Sequence, residues 1–337
     1  MRYRRYVFLL AIAWAIPRPA WSVAPEQGQG SDFIMHHIGD AHAWHFMTWG
    51  QTPITLPLPI IIFSRDQGLD CFLSHRFFDA DHHPIPYQGY RLTAADTIQA
   101  VDPNRSFYDL SITKNVAALW VSASLLIVFV LWAQQRYQQA SRQVPRGVWA
   151  LFEWVVLFVR NEIAIPNIGS QQYVRFMPYL LTVFFFIWLN NVLGLLPAAA
   201  NVTGNISVTL VLALFTFCAT HLHATQAYWE HVFCTPGVPK WLLPVMIPVE
   251  CMGLLTKPIS LAFRLFANIT AGHIILLSII SIIFIFRTAW MGLVSVPFGA
   301  FMLLLKFLIA FIQAYIFTLL SAIYVGTAVE SHGSTAS

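Results

Sequence analysis

Charged side chains are scarce in this sequence, and their scarcity decides its class. They make up 10% of the 337 residues, whereas apolar residues make up 57% and the mean hydropathy is +0.63. A soluble globular domain carries about 25% charged residues, so the composition excludes a soluble enzyme and a disordered tail. The formal net charge is only +4, and the basic residues form no stripe along the sequence. This excludes a nucleic-acid-binding module. The composition therefore predicts an integral membrane protein with some polar mass attached.

Two further patterns are missing. The four cysteines show no CxxC spacing, and only Cys71 falls in the polar N-terminal part, so that part has no partner for an internal disulfide. No GxxxxGK[ST] phosphate-binding loop occurs. The chain is therefore not predicted to be an ATP-hydrolysing protein, and we expect no cofactor.

The N-terminus has the pattern of a secretory signal peptide over residues 1–24. A basic start precedes the apolar run Tyr6–Ile16, whose 11 residues are too few to span a bilayer comfortably. Ser22 and Ala24 stand at −3 and −1 of a potential cleavage point. Pro25 disfavours cleavage, which leaves an uncleaved anchor as the alternative. Export would place residues 25–112 on the outer side of a membrane.

Residues 25–112 are predicted to form a His-rich periplasmic extension. They hold seven of the twelve histidines, but the spacing matches no zinc signature. We therefore predict solvated, capping or interface histidines and no metal, with a metal site or a pH-responsive surface as alternatives. Ile54–Phe63 predicts one or two short strands, which Pro53, Pro57 and Pro59 are expected to break. The histidines are His36, His37, His42, His45, His75, His82 and His83, with Asp40, Asp79 and Asp81 nearby.

The rest of the chain predicts an all-α membrane protein with about five transmembrane helices. A helix needs about 20 apolar residues to cross the hydrocarbon core, and 21 uncharged residues lie between Lys114 and Arg136. The charge-free stretch 176–229 can hold two spans, at about 176–196 and 206–226. Two long, tilted segments complete the set, Leu242–Phe286 and about Val294–Ala328.

Charge placement predicts the topology. Arginines after the first span mark a cytoplasmic loop, and Val148–Ile165, interrupted by three charges, is predicted to be an amphipathic helix in the interface. We expect a membrane domain over 113–330 and a cytoplasmic tail over 331–337. Leu242–Phe286 would be about 67 Å long as one helix. We predict that its prolines, Pro244, Pro248 and Pro258, break it, and hydropathy does not settle whether 242–255 adds a crossing.

Ionisable groups inside the last two segments need an explanation, since each costs about 2.5–3.5 kcal/mol at the bilayer centre. Glu250, Lys257 and Arg264 follow a heptad spacing, which keeps them near one helix face. Ser260 and Asn268 flank the arginine by four residues. A guanidinium stays protonated and attracts carboxylates. We expect its partner on another chain, with an arginine paired inside its own bundle as the alternative.

Three further features accompany this arginine. His273 falls about 180° round the helix from it and is expected to face a neighbouring helix, which suits a polar conduit; a histidine satisfied by a carbonyl is the alternative. Lys306 and Gln313 lie seven residues apart in the last segment. Ala267 and Ala271 form a pair of small residues that permits close helix approach.

Three motifs in this part of the chain resemble subunit a of rotary F-type ATP synthases. They occur in the order of that family and cover roughly residues 110–330, so the polar N-terminal region is an extension beyond the family's minimal form. The motifs are WLNNVLGLLP at Trp188–Pro197, LTKPISLAFRLFANITAGH at Leu255–His273 and QAYIFTLLSAIY at Gln313–Tyr324.

The resemblance implies a proton-conducting stator subunit that is not itself catalytic. Its partners would be a ring of c subunits, the b subunits of the peripheral stalk, other synthase subunits and membrane lipid. Arg264 corresponds to the essential arginine that meets the c-ring carboxylate and separates two offset half-channels. Asn268 corresponds to a polar neighbour of it, and Gln313 to the polar residue opposite. Glu250 and Ser260 correspond to positions of the cytoplasmic half-channel.

His273 and Lys306 fall at positions of the periplasmic half-channel in the resemblance. Lys306 departs from the family pattern, which has Glu in mitochondrial-type members and His in some bacterial ones. It would be neutral through desolvation or paired with a carboxylate from elsewhere. The signal peptide favours a bacterial inner membrane, with the N-terminus periplasmic and the C-terminus cytoplasmic. The coupling ion is expected to be H⁺, although the c subunit largely sets that choice.

Two other functions compete with this interpretation. A secondary transporter with broken helices would show an internal repeat, and none is visible. A membrane protein whose purpose is the His-rich domain would tolerate replacement of Arg264. Residue spacing alone leaves all three open, and the motifs favour the stator.

Overall fold

A computed structural model describes residues 40–49, 52–64, 68–79, 85–93, 96–102, 105–139, 147–195, 202–233, 240–286 and 289–329. The predicted signal peptide, the predicted tail and four of the histidines, at 36, 37, 82 and 83, lie outside them. The chain divides into two compact units, one ending at Lys114 and the other beginning at Asn115.

The first unit is a small antiparallel β domain. Its central strand alternates, because one face of a strand meets the core and the other does not: Ile60 and Ile62 are fully buried, whereas Phe63 is exposed. Phe77, Tyr90 and Ile98 complete this core. The strands are β1 Ala43–Trp49 with β2 Thr52–Pro57, then β3 Pro59–Ser64 between β4 Gly68–Leu73 and β7 Phe107–Asp109, and β5 Tyr90–Leu92 with β6 Ile98–Ala100.

One or two strands were expected over Ile54–Phe63 and two are present, but the prediction that Pro53 breaks a strand is wrong. The break falls at Leu58, between Pro57 and Pro59, whereas Pro53 lies within β2. A two-stranded sheet consists of edges only, and an edge strand tolerates a residue without a backbone N–H.

The second unit is all α-helical, as predicted. Four of its helices are long and apolar enough to cross a membrane, and a fifth, Ile206–Leu222, is shorter. The helices are α1 Lys114–Gln139, α2 Val148–Phe158, α3 Ile165–Ile168, α4 Tyr173–Leu193, α5 Ile206–Leu222, α6 Gln226–Phe233, α7 Leu243–Phe286 and α8 Ala289–Val329.

The segment predicted to be amphipathic has that character. A π-helical turn over Val159–Ala164 joins α2 to α3. Val155, Val159 and Ile163 are buried, whereas Arg160 and Glu162 are exposed. Its place in the membrane interface stays a prediction.

The prolines of α7 do not break it, contrary to the prediction. The helix runs unbroken for 44 residues through Pro248 and Pro258, so residues 242–255 add no separate helix. Each proline removes one backbone hydrogen bond. Ending the helix would expose several more unsatisfied groups, which costs most where water is absent.

Helices α7 and α8 pack against each other, α4 packs on α8, and α5 packs on α7. Their shared core contains Phe184, Leu261, Leu265, Ala314 and Phe317. This packing fixes which faces of α7 and α8 remain open.

Candidate functional site

Arg264 lies on the open face of α7. Leu261, Ala262 and Leu265 are buried on the other side of the helix, while Arg264 and the small residue Ala267 are exposed. Among the described residues, no carboxylate lies within 4 Å of the guanidinium. The arginine is therefore presented outwards, next to residues small enough for another helix to approach closely.

One hydrogen bond joins α7 to α8 one turn from the arginine. The Asn268 amide donates to Oε1 of Gln313 at 2.7 Å. Gln313 is 1% exposed, and its Nε2 has no hydrogen-bond partner among the described residues. These two residues, each singled out separately by the motifs, are thus in contact, with a spare donor on the glutamine.

A second polar level surrounds His273 and Lys306. A Cβ built on Gly194, at the end of α4, would lie 3.7 Å from Nε2 of His273, so this histidine faces a neighbouring helix as expected. A Cβ on Gly272 would lie 3.3 Å from Cε of Lys306. The missing side chain of Gly272 therefore makes room for the lysine stem.

Lys306 is buried, with 8% of its surface exposed. Its Nζ has no hydrogen-bond acceptor among the described residues. No described carboxylate lies within 4 Å of it, so a paired form would need an acidic group from outside those residues.

Asn191 and Thr203 lie at this level and were not predicted as site residues. Asn191 accepts a hydrogen bond from the Thr203 hydroxyl at 2.8 Å, and its amide lies 3.5 Å from the Ala310 carbonyl on α8. Both are buried. Adjacent Asn190 and Asn191 in an otherwise apolar span were the available signal.

The third level lies around Glu250. Fourteen residues separate it from Arg264, about 21 Å along a helix axis, and Ser260 is exposed between them. Glu250 lies close to Tyr228 of α6. Burial, and then this carboxylate, raise the pKa of the Tyr228 phenol. The structure therefore distributes the predicted residues over three levels along α7 and α8 rather than into one cluster.

The described histidines of the β domain form no metal site. Nε2 of His42 lies 3.8 Å from Asp109. No group of three metal-ligating side chains occurs in the described parts of the chain. The other possibilities for the His-rich segment stay predictions.

Comparisons with known proteins place relatives over most of the chain. The ATP synthase A chain family matches residues 116–326, and a domain of unknown function (DUF8433) matches residues 33–118. An ATP synthase subunit a of Chloroherpeton thalassium is 42% identical over 77% of this chain and 79% of its own length. Those of Myxococcus xanthus and Anaeromyxobacter dehalogenans are 45% and 46% identical over 66% and 67% of this chain, covering 74% and 60% of their own lengths.

Proposed function

The chain belongs to the ATP synthase A chain family, and we propose that it forms two offset half-channels and holds Arg264 against carboxylates of a c-subunit ring. Membership makes it a multi-pass, non-catalytic membrane subunit of a proton-transporting ATP synthase, which works with other synthase subunits. The transporter and the isolated His-domain protein are thereby set aside.

The outward position of Arg264 is the observation that carries this proposal. A guanidinium cannot lose its proton, and a permanent charge in a membrane requires a counter-charge. No described carboxylate of this chain lies within 4 Å, while the face around the arginine is open and carries small residues. A carboxylate on a neighbouring ring of c subunits satisfies both conditions.

The three levels along α7 and α8 divide the proton path into two halves. Protons enter from the periplasm near His273 and Lys306 and neutralise a c-ring carboxylate, which can then turn into lipid. After most of a rotation the carboxyl returns, releases its proton towards Ser260 and Glu250, and becomes ionised beside Arg264. Asn268 and Gln313 hold the level between the two halves. One charge crossing 100 mV yields about 2.3 kcal/mol, so several protons are needed for each ATP.

The surroundings of the subunit are part of the proposal. We place it in a bacterial inner membrane, with residues 25–112 in the periplasm after a signal peptide at 1–24, the membrane domain at 113–330, and the tail 331–337 in the cytoplasm. The c ring covers the open face of α7, and b subunits of the peripheral stalk hold the subunit against rotation. The proposed coupling ion is H⁺, a choice that the ion site of the c subunit largely sets.

Proton pumping in inverted membrane vesicles tests the proposal, with Arg264→Ala compared with wild type in the assembled complex. We expect ATP-driven pumping and ATP synthesis to be lost while assembly persists. Arg175→Ala is the matched control, because this exposed arginine belongs to α4 and lies over the Phe176 ring, 6.0 Å from its centroid. Coupled transport that survives Arg264→Ala would refute the stator assignment of this residue.

A further inference from the structure

A small cavity with several polar groups in its wall lies between α5, α6, α7 and α8. Its volume of about 20 Å³ is enough for one water molecule. Its lining combines hydroxyls, an imidazole and an ammonium, so a water there would have several hydrogen-bond partners. The polar lining residues are Thr216, Thr220, His221, Tyr228, Lys257, Tyr324 and Thr327.

The hydrogen bonds of His221 fix which of its nitrogens can take a proton. Nδ1 lies 2.8 Å from the Phe217 carbonyl oxygen. A carbonyl can only accept, so Nδ1 carries the hydrogen and Nε2 of the neutral ring is the acceptor. The Tyr228 hydroxyl lies 3.5 Å from Nε2. The ring therefore presents a basic nitrogen at the cavity, already oriented by a backbone group.

The cavity sits between the two ends of the proposed cytoplasmic path. Lys257 lines it and is seven residues from both Glu250 and Arg264 on α7. Tyr228 interacts electrostatically with Glu250, and Tyr324 interacts in the same way with Arg264. Each end of the path thus has a neighbour in the cavity wall.

The ionisable groups around the cavity that His221 lines come from three other helices. Helix α6 contributes Tyr228, α7 contributes Lys257 with Glu250 beyond the tyrosine, and α8 contributes Tyr324. Lys257 is turned to the Tyr324 ring, with Nζ 5.6 Å from its centroid. A proton on His221 would therefore have one cation nearby, Lys257, and the carboxylate of Glu250 as its acceptor.

We propose that this cavity is a proton-transfer site of the cytoplasmic half-channel, in which one water and Nε2 of His221 relay protons between the c-ring carboxyl and Glu250. The inference rests on the proposed function. In the synthesis direction the carboxyl loses its proton to the water, and the water loses one to Nε2. The imidazolium then releases its Nε2 proton towards Glu250, and the ring returns to its neutral form. Nδ1 keeps its hydrogen throughout, and no other bond changes.

The test compares His221→Gln with His223→Gln in assembled synthase in inverted vesicles, where ATP hydrolysis draws protons in from the cytoplasmic side. His223 is the matched control, because its Nδ1 also lies near a carbonyl oxygen, Ala219 at 2.9 Å, but its ring packs on Phe176 and does not line the cavity. We expect His221→Gln to slow pumping about 10-fold. That is less than the roughly 100-fold loss of a positioned general base, because water can still fill the site. The loss should grow as the outer pH rises and protons become scarce.

Two further variants separate proton transfer from packing. His221→Gly leaves space for added imidazole, which should restore pumping, and Tyr228→Phe keeps the ring that packs on Trp229 but removes the hydroxyl. The inference is overturned if His221→Gln keeps the wild-type rate and pH dependence. It is also overturned if imidazole restores nothing and Tyr228→Phe leaves the pH dependence unchanged. Loss of pumping in Arg264→Ala alongside either outcome would show that the stator assignment survives the failure of this site.

Discussion

Replacing Gly326 by alanine should disrupt the contact of α8 with α3 by a predictable amount. The carbonyl oxygen of Asn167 occupies the space that a Cβ at Gly326 would need, and the carbonyl carbon would lie only 2.9 Å away. This obstacle is backbone and cannot rotate aside. Asn167 is tied back by its amide, which donates to the Ile163 carbonyl at 2.7 Å. Val325 beside the glycine is fully buried, so α8 cannot shift outwards without opening a packed cluster.

The free energy of unfolding should fall by about 1–3 kcal/mol or more, the usual cost of forcing extra atoms into a packed core. Gly299→Ala is the matched control on the same helix, because its Cβ would meet no heavy atom of the described residues within 4 Å. Both changes gain about 1 kcal/mol of helix propensity, so their difference isolates the steric conflict. The assay is thermal unfolding of the purified subunit in detergent, together with the amount of assembled synthase. Equal stability of the two variants would refute the close approach of α8 to α3.

Two further predictions concern the polar levels of α7 and α8. Gln313→Leu should weaken coupled pumping about 5-fold, since a hydrogen bond of about 1 kcal/mol to Asn268 is lost. Adding Asn268→Ala to this variant should reduce pumping little further. If the losses of the two changes, measured in vesicles, are additive, the hydrogen bond between Asn268 and Gln313 is contradicted. Lys306→Met, which keeps the stem against Gly272, should raise the thermal stability of the subunit, because a buried amine without a described acceptor carries a desolvation cost. The same change should slow proton entry from the periplasmic side, and unchanged pumping would remove Lys306 from the path.

The helical phase of α7 could be derived from the sequence, but the partners of its side chains could not. Arg264 and His273 are nine positions apart, which places them on opposite faces of any straight helix. In the structure Arg264 is exposed and His273 lies towards Gly194. The bond between Asn268 and Gln313 depends instead on the register of α7 against α8. This register depends on packing over the whole length of both helices, and a local sequence pattern does not predict it.

The prolines of α7 led to the wrong prediction that this helix is broken, and the reason is physical. In water, a helix that ends at Pro248 or Pro258 exchanges backbone bonds for hydrogen bonds to solvent. In a bilayer core that exchange is not available, so the unbroken α7 is the less costly state. The cavity around His221 was missed for a different reason. It joins the end of α5 to the short helix α6, and pairings across such a turn have no fixed spacing.

The arrangement of α7 also explains why the two half-channels would not leak into one another. A proton moving inside this chain from His273 to the cavity beside Lys257 must pass the level of Leu261 and Leu265, which are 1% and 0% exposed within an apolar core. Placing a hydrated proton there carries the cost of a buried charge, and the permanent charge of Arg264 at the same level adds repulsion. In the proposed function, the route of lower energy leaves the chain at the open face and crosses on a neutralised carboxyl of the c ring. Because that carboxyl belongs to the c ring of the proposed complex, each crossing requires the ring to turn. This requirement couples proton flow to rotation.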